Sequence, residues 1–217
     1  MAHINRHNIG KFWPIPRKGS KYLARSSHNL GQSIPLVIVM REVLGLVKTK
    51  KELQKLINEK QIQINGKEIR ETNYPICLFD ILTLTTVKKN YKATLSENKK
   101  FAFEEVKDKD AKSREYKVLG KKILSKDKIQ LNLMTGKNIT TKEKAKMADT
   151  IILGFDNKII EIIELKKGNN AMVLEGKHTG KKGKIDEVVE RGGKKLVKIT
   201  SEKDKINVWI KNTIAIK

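Results

Sequence analysis

Nine consecutive residues, Gly176-Lys177-His178-Thr179-Gly180-Lys181-Lys182-Gly183-Lys184, carry the strongest chemical signal in the sequence. Their four lysines and three glycines let a backbone approach a phosphodiester closely, with ammonium groups on either side. Nucleotide hydrolysis is a different matter. A Walker-type loop needs Gly, four residues, then Gly-Lys-Ser/Thr, and counting from Gly176 the second glycine falls on Lys181. The context is also wrong, because Ile185 opens an apolar strand pattern where that motif requires a helix amino terminus.

No other constellation supplies a reaction. His3, His7, His28 and His178 lie in arm or loop positions without a Cys or carboxylate at metal-ligand spacing. His3 and His7 would form half a metal site only on a rigid helix, which Gly10, Pro14 and Pro16 oppose, so phosphate or base contact is the better reading. Asp149, Asp156, Glu161 and Glu164 sit among lysines and apolar strand residues and read as solvated positions. No Ser-His-Asp or Cys-His arrangement can be assembled, so no catalytic residue and no cofactor is assigned. Cys77, the single cysteine, excludes an intramolecular disulfide and a cysteine-rich zinc module. Its neighbours Ile76, Leu78 and Phe79 make it a small buried hydrophobe.

What remains is charge. Lys and Arg number 47 against 24 Asp and Glu, a net +23 over 217 residues. Self-repulsion of that size calls for a polyanion, nucleic acid first and an anionic membrane second. The longest apolar run, Ile34 to Met40, contains Pro35 and is far short of the roughly 20 residues a membrane span needs. Residues 1–21 offer no apolar stretch of a secretory signal, so an intracellular, soluble chain is expected. A membrane-surface role would need a basic helix with exposed bulky apolar residues. The helices here use those faces for a core.

These cations need elements to position them. Residues 1–33 form a basic arm, in which Arg6, Lys11, Arg17, Lys18, Lys21 and Arg25 precede the first acid, Glu42. Phe12, Trp13 and Tyr22 are interleaved with the charges, and such aromatic faces either stack on bases or pack on a neighbouring domain. From residue 34 to 87 the pattern is helix, helix, hairpin. Ser33 and Pro35 mark a helix start, and Leu36, Met40, Val43, Leu44 and Val47 recur at amphipathic spacing, with Gly45 near the end. A second helix opens at Thr49 with Glu52 completing a capping box. Its Leu53, Leu56 and Ile57 face a core, while Lys51 and Lys55 project almost opposite. Gln61 to Ile64, the turn Asn65-Gly66 and Lys67 to Arg70 form a hairpin, and Ile81 to Leu84 adds a strand. Arg41, Lys48, Lys50, Lys51, Lys55 and Lys67 give this module a phosphate-facing surface.

Residues 88–167 read as a mainly β domain, with candidate strands at Phe101 to Glu104, Tyr116 to Leu119, Ile129 to Leu133, Thr150 to Leu153 and Ile159 to Ile163. Thr135-Gly136 and Asp156-Asn157 mark turns, and the charged stretch Glu104 to Glu115 reads as a solvated helix or loop. Residues 168–217 hold five short strands, Ala171 to Leu174, Ile185 to Val189, Leu196 to Thr200, Asn207 to Ile210 and Ile214 to Ile216, separated by glycine-rich corners that fit a small β-barrel. The fold class expected is α+β.

Taken in order, these segments resemble the S4e family of small-subunit ribosomal proteins from archaea and eukaryotes. The resemblance runs from Arg6-His7 and Trp13-Pro14-Ile15-Pro16-Arg17-Lys18 through Arg41-Glu42-Val43-Leu44-Gly45 and Thr49-Lys50-Lys51-Glu52 to Asn65-Gly66-Lys67, Tyr74-Pro75 and Phe79-Asp80-Ile81. It continues through Gly120-Lys121, Ile129 to Leu133 and Gly136-Lys137-Asn138-Ile139, and its closing loop from Gly176 to Ile185 is similar to a KOW motif. The resemblance implies a non-catalytic cytoplasmic protein of the ribosome, partnered by small-subunit ribosomal RNA and neighbouring ribosomal proteins, with no membrane and no small-molecule substrate. It would bind RNA through the arm (Arg6, His7, Lys11, Trp13, Arg17, Lys18, Lys21, Arg25), the helical module (Arg41, Lys48, Thr49, Lys50, Lys51, Lys55, Lys67) and the closing loop (Lys177, His178, Lys181, Lys182, Lys184). The chain departs from the family at Lys60 and at Ala148-Asp149, where a glycine and a Gly-Asp pair are usual, and it ends at Lys217 without the basic tail of eukaryotic members, which favours an archaeal type. The alternatives are a transient translation or transcription factor bearing a KOW domain, and an RNA-modifying enzyme, for which the residues are missing.

Overall fold

The computed structural model describes residues 3–108, 110–125, 128–201 and 205–216. Two compact units emerge, residues 1–95 with 100–112 and residues 96–99 with 113–217.

Unit 1 begins with a folded arm. β1 (His3–Asn5) pairs antiparallel with β2 (Tyr22–Ala24), and Arg6 closes the segment between them. Its guanidinium donates to the Ser20 carbonyl at 2.7 Å, the Pro16 carbonyl at 2.6 Å and Ser20 Oγ at 3.1 Å. β3 (Ser33–Pro35) follows, where the sequence pattern called for a helix cap. Ser33 caps nothing; its hydroxyl is buried, donates to the Asn29 carbonyl at 2.7 Å and accepts from the Ser26 hydroxyl at 3.1 Å. α1 (Leu36–Ile38) runs straight into a π-helical turn, Val39–Val43, and ends before Gly45, whose φ is +62°. The amphipathic helix expected to Val47 is therefore shorter and wider, because Leu36 to Met40 are all buried and the core surrounds this segment instead of lying on one face.

α2 (Lys50–Asn58) follows the local code closely. Thr49 Oγ1 accepts from the Glu52 amide at 3.2 Å, and the Glu52 carboxylate accepts from the amides of Lys48 at 2.8 Å and Thr49 at 3.4 Å. The Lys48 bond, above all, holds the Glu52 carboxyl below its ordinary pKa. Leu53 and Ile57 point into the core. Thr49→Ala should lower the stability of unit 1 by about 1 kcal/mol, whereas Thr49→Ser should be nearly silent. Urea midpoints, with faster amide exchange confined to residues 50–58, would check this.

Lys60 leaves α2 with φ +56°, so the chain keeps the left-handed conformation at a position where the resemblance calls for glycine. β4 (Ile62–Ile64) and β5 (Lys67–Glu68) flank Asn65 (φ +51°) and Gly66 (φ +73°), a hairpin turn with both central residues left-handed. β6 (Pro75–Cys77) pairs with β3, and β7 (Ile81–Leu84), β8 (Lys89–Leu95) and β9 (Phe101–Val106) complete an antiparallel sheet in the order β5-β4-β7-β8-β9. Buried Asp80 ties this sheet to the hairpin, accepting from Asn65 Nδ2 and the Cys77 amide, both at 2.6 Å. The domain edge expected at 87/88 thus falls inside one sheet.

In unit 2, β10 (Ser113–Ser125), β11 (Lys128–Leu133), β12 (Asn138–Thr141), β13 (Thr150–Gly154) and β14 (Ile159–Ile163) form a sheet in the order β12-β11-β10-β13-β14. Tyr116, Val118, Leu131, Leu133, Ile151 and Leu153 make its core. The charged stretch from Glu104 to Glu115 is neither helix nor loop throughout. β9 runs to Val106, a 3₁₀ turn covers Asp110–Lys112, and β10 starts at Ser113; position 109 lies outside the described residues. Pairing with β8 and β13 holds these charged residues extended despite their low apolar content. Ala148, where the resemblance expects glycine, has φ +74°.

The closing sheet of unit 2 contains β15 (Asn170–Val173), β16 (Lys182–Arg191), β17 (Lys194–Thr200), β18 (Lys205–Trp209) and β19 (Thr213–Ile216), all antiparallel in the order β18-β17-β16-β15-β19. Ala171, Val173, Ile185, Val197, Ile199 and Ile206 fill its core. Lys117, 2% exposed on β10, joins the two sheets. Its ammonium donates to the carbonyls of Ile210 (2.7 Å), Lys211 (2.7 Å) and Thr213 (2.5 Å). Burial pushes its pKa down to about 8, against an upward pull from the Glu175 carboxylate. The molecule is thus mostly strand with few helices. No helix among the described residues is long and apolar enough to cross a membrane.

Candidate nucleic-acid interface

On unit 1 the cations named from the sequence divide by what they touch. His7, Lys11, Arg17, Lys18 and Lys21 of the arm are exposed, as are Lys48, Lys50, Lys51 and Lys55 around α2 and Lys67 in the hairpin. Arg25 and Arg41 are half-buried, and Arg41 Nε pairs with Glu42 at 2.8 Å. Lys55 lies 3.9 Å from Glu59, an exposed pair of little energetic weight that leaves the lysine open to a phosphate. The helical core fixes part of this geometry: Leu53 and Ile57 are buried, so Lys51 and Lys55, almost opposite them on α2, must face water.

Three members of the sequence-derived set have other work. Trp13 is 6% exposed and its Nε1 donates to the Ser33 carbonyl at 3.2 Å, so it is a core residue and presents no face to a base. Ile15 and Leu23 of the arm are buried as well, and an indole gains more from burial in such an apolar interior than from exposure. Arg6 has its guanidinium spread over three acceptors of the arm itself. The hydroxyl of Thr49 is engaged as the α2 cap. Phe12 is likewise occupied, packed 5.4 Å from Phe101. Tyr22 is the arm aromatic left open, 51% exposed, with His3 edge-on at 4.7 Å and Lys21 Nζ 5.3 Å from its ring centre. Its place beside Lys21 in a basic, aromatic arm was the available signal, but the sequence could not say which of three aromatics would be buried.

On unit 2 the glycine-lysine loop is short and tightly laced. The Gly180 amide donates to the Val173 carbonyl at 2.8 Å, the Val173 amide to the Lys181 carbonyl at 3.0 Å, and Thr179 Oγ1 to the Gly176 carbonyl at 2.8 Å. β16 begins at Lys182, three residues earlier than the sequence pattern indicated, so Lys182 and Lys184 are strand residues sharing the face opposite buried Ile185. Lys177, Lys182 and Lys184 are exposed, and His178 and Lys181 half-buried. Gly183 has no room for a side chain, since a Cβ there would stand 2.4 Å from the Thr200 carbonyl oxygen. Among the described residues no three His, Cys, Asp or Glu side chains gather as they would around a metal ion.

Comparison with known proteins supports a family for this architecture. Residues 34–82 match the S4 domain, and residues 87–160 match ribosomal family S4e. The two matches divide the sequence between 82 and 87, although the sheet of unit 1 runs on through β9. Small ribosomal subunit protein eS4 of Methanospirillum hungatei is 33% identical over 192 residues, covering 85% of this chain and 79% of that protein. The eS4 protein of Archaeoglobus fulgidus is 31% identical over 206 residues, covering 92% and 86%. The crystal structure of 30S ribosomal protein S4e from Thermoplasma acidophilum shares the fold, with a TM-score of 0.73 at 22% identity over 85% of this chain and 95% of that one. With S4 domain, S4e segment and eS4 relatives aligned along most of its length, the chain belongs to the ribosomal S4e family.

Proposed function

We propose that this protein is a structural constituent of the small ribosomal subunit, in the cytoplasm, where it binds and stabilises ribosomal RNA without catalysing a reaction. The observation that carries the proposal is the row Lys48, Lys50, Lys51 and Lys55, exposed on the S4 domain while the same helix buries Leu53 and Ile57. A net charge of +23 suits a molecule that lies against phosphates on more than one side. Residues 34–87 act as a helix-helix-hairpin RNA-binding module served by the arm, 1–33. The strands from residue 88 to 167, the first two of which extend the sheet of unit 1, supply a mainly β body, and 168–217 a small barrel whose 176–184 loop acts as a KOW motif. Lysines and arginines position the RNA backbone, and specificity follows from RNA shape and unpaired bases. Neighbouring ribosomal proteins are the other partners.

Ultraviolet crosslinking of the tagged protein in its own cells, with sequencing of the attached RNA and sedimentation of the same lysate, tests this. Sharp crosslinks in small-subunit ribosomal RNA, with the protein retained in that peak after a high-salt wash, are expected. Crosslinks scattered over transfer or messenger RNA, with the protein left at the top of the gradient, would replace the proposal by a transient RNA-binding factor.

A further inference from the structure

A cleft of about 360 Å³ opens on unit 1 where the arm meets the helices of the S4 domain. Its size falls at the low end of small-ligand sites, roughly 300–1,000 Å³. Four kinds of surface converge there. Tyr22 and His3 bring aromatic rings from β2 and β1, held edge-to-face at 70°. Arg41 and Lys50 bring cations from the π-turn and the first residue of α2. Leu23 and Val37 provide an apolar base. Asn73 brings an amide whose Oδ1 is closed off from solvent and meets no hydrogen-bond donor.

That last observation calls for an explanation, because a buried amide oxygen without a donor is costly. Turning the Asn73 side chain toward the cleft exposes this oxygen to a ligand with an N–H edge, and the amide then matches an edge that carries donors and acceptors side by side. A simple anion would use Arg41 and Lys50 and leave the rings and the amide idle. A paired helix could not present a base edge inside so small a cleft. An unstacked nucleotide uses all four surfaces: its base against an aromatic ring, its edge at an amide, its phosphates at the cations.

We propose that this cleft receives one unpaired ribonucleotide of the bound RNA, with the base against Tyr22, its edge at Asn73 and its phosphates at Arg41 and Lys50. The proposal rests on the RNA-binding function above and names one subsite of it.

The test uses the full-length protein with two probes, a short single-stranded RNA carrying one 2-aminopurine and a fully paired RNA duplex of equal length. Emission of the 2-aminopurine should fall on binding. Tyr22→Ala should abolish that fall and weaken single-strand binding about tenfold while duplex binding stays as it was. Tyr22→Phe should retain both the quench and the affinity. Because Tyr22 is half exposed, the alanine variant should keep the parental circular dichroism spectrum. Tight binding of both RNAs with unchanged emission, or an equal loss for both in Tyr22→Ala, would overturn the cleft and leave the RNA-binding function standing. Binding of neither RNA would overturn both.

Discussion

Gly180→Ala should destabilise unit 2 by about 3–5 kcal/mol, the largest effect expected of any single methyl group in this chain. Two independent penalties meet at that position. Gly180 has φ +86°, a conformation that L-residues adopt only under strain, and a Cβ there would stand 2.0 Å from the Ser96 carbonyl oxygen. The obstacle is backbone, so no rotamer change relieves it. Relief requires moving residues 96 and 97 away or breaking the Gly180 amide bond to the Val173 carbonyl, which seats the loop on β15. Gly176→Ala is the matched control. Gly176 is also left-handed, at φ +104°, but the nearest atom to its Cβ position is Asn212 Nδ2 at 3.9 Å, so only the conformational penalty of about 1–2 kcal/mol applies. Urea unfolding, with hydrogen exchange resolved by segment, separates the two. Equal losses would mean that the 96–97 backbone yields freely and that the close approach carries no energy.

Lys117→Met should be nearly as damaging, lowering the stability of unit 2 by about 2–4 kcal/mol. Methionine fills the volume but leaves the carbonyls of Ile210, Lys211 and Thr213 without their shared donor, and it severs the polar tie between the β10 sheet and the turn before β19. The effect carries a pH signature. The folded pKa of about 8 lies below the ordinary lysine value of 10.5, so between those values the unfolded chain binds more protons than the folded one. Stability from this group therefore rises with pH across that window, by roughly 3 kcal/mol in all. The gap between the parent chain and Lys117→Met should accordingly widen from pH 8 to pH 10. A gap that narrows would mean that the three carbonyls hold the ammonium more strongly than burial opposes it.

What could be read in advance was whatever neighbouring residues decide among themselves. Thr49 and Glu52 cap α2, Asn65-Gly66 turns the hairpin, and Ile81–Leu84 and Ile159–Ile163 form strands over the full span anticipated. In each, the signal and the structure lie within a few residues. The failures are non-local. Lys89, Asn90 and Lys92 interrupt the apolar pattern of β8, and β12, Asn138–Thr141, is polar at three of four positions; β8 is a strand because β7 and β9 hold it on either side, and β12 because β11 pairs with it along its whole length. The spacing of Leu36, Met40, Val43, Leu44 and Val47 predicts an amphipathic helix, because spacing cannot reveal a segment enclosed on all sides. Among candidate contacts, Lys51 and Lys55 follow from helical periodicity alone, but the burial of Trp13 and the folding of Arg6 onto the arm's own carbonyls depend on packing that no window of sequence contains. Lys60 and Ala148, the two departures from family pattern, turn out to keep left-handed backbone, so the chain accepts local strain in preference to a different path.

The docking of Trp13, Ile15 and Leu23 into unit 1 has a consequence for recognition. A basic tail that becomes ordered only on its target surrenders conformational entropy of about 1–2 kcal/mol for each backbone residue it fixes, and that loss is deducted from every phosphate contact it makes. Here the loss is met when the protein itself folds, through the buried indole and the Arg6 guanidinium bonds. Lys11, Arg17, Lys18 and Lys21 stand on a scaffold whose shape is settled beforehand, so under the proposed function their attraction for RNA would register as affinity with little deduction.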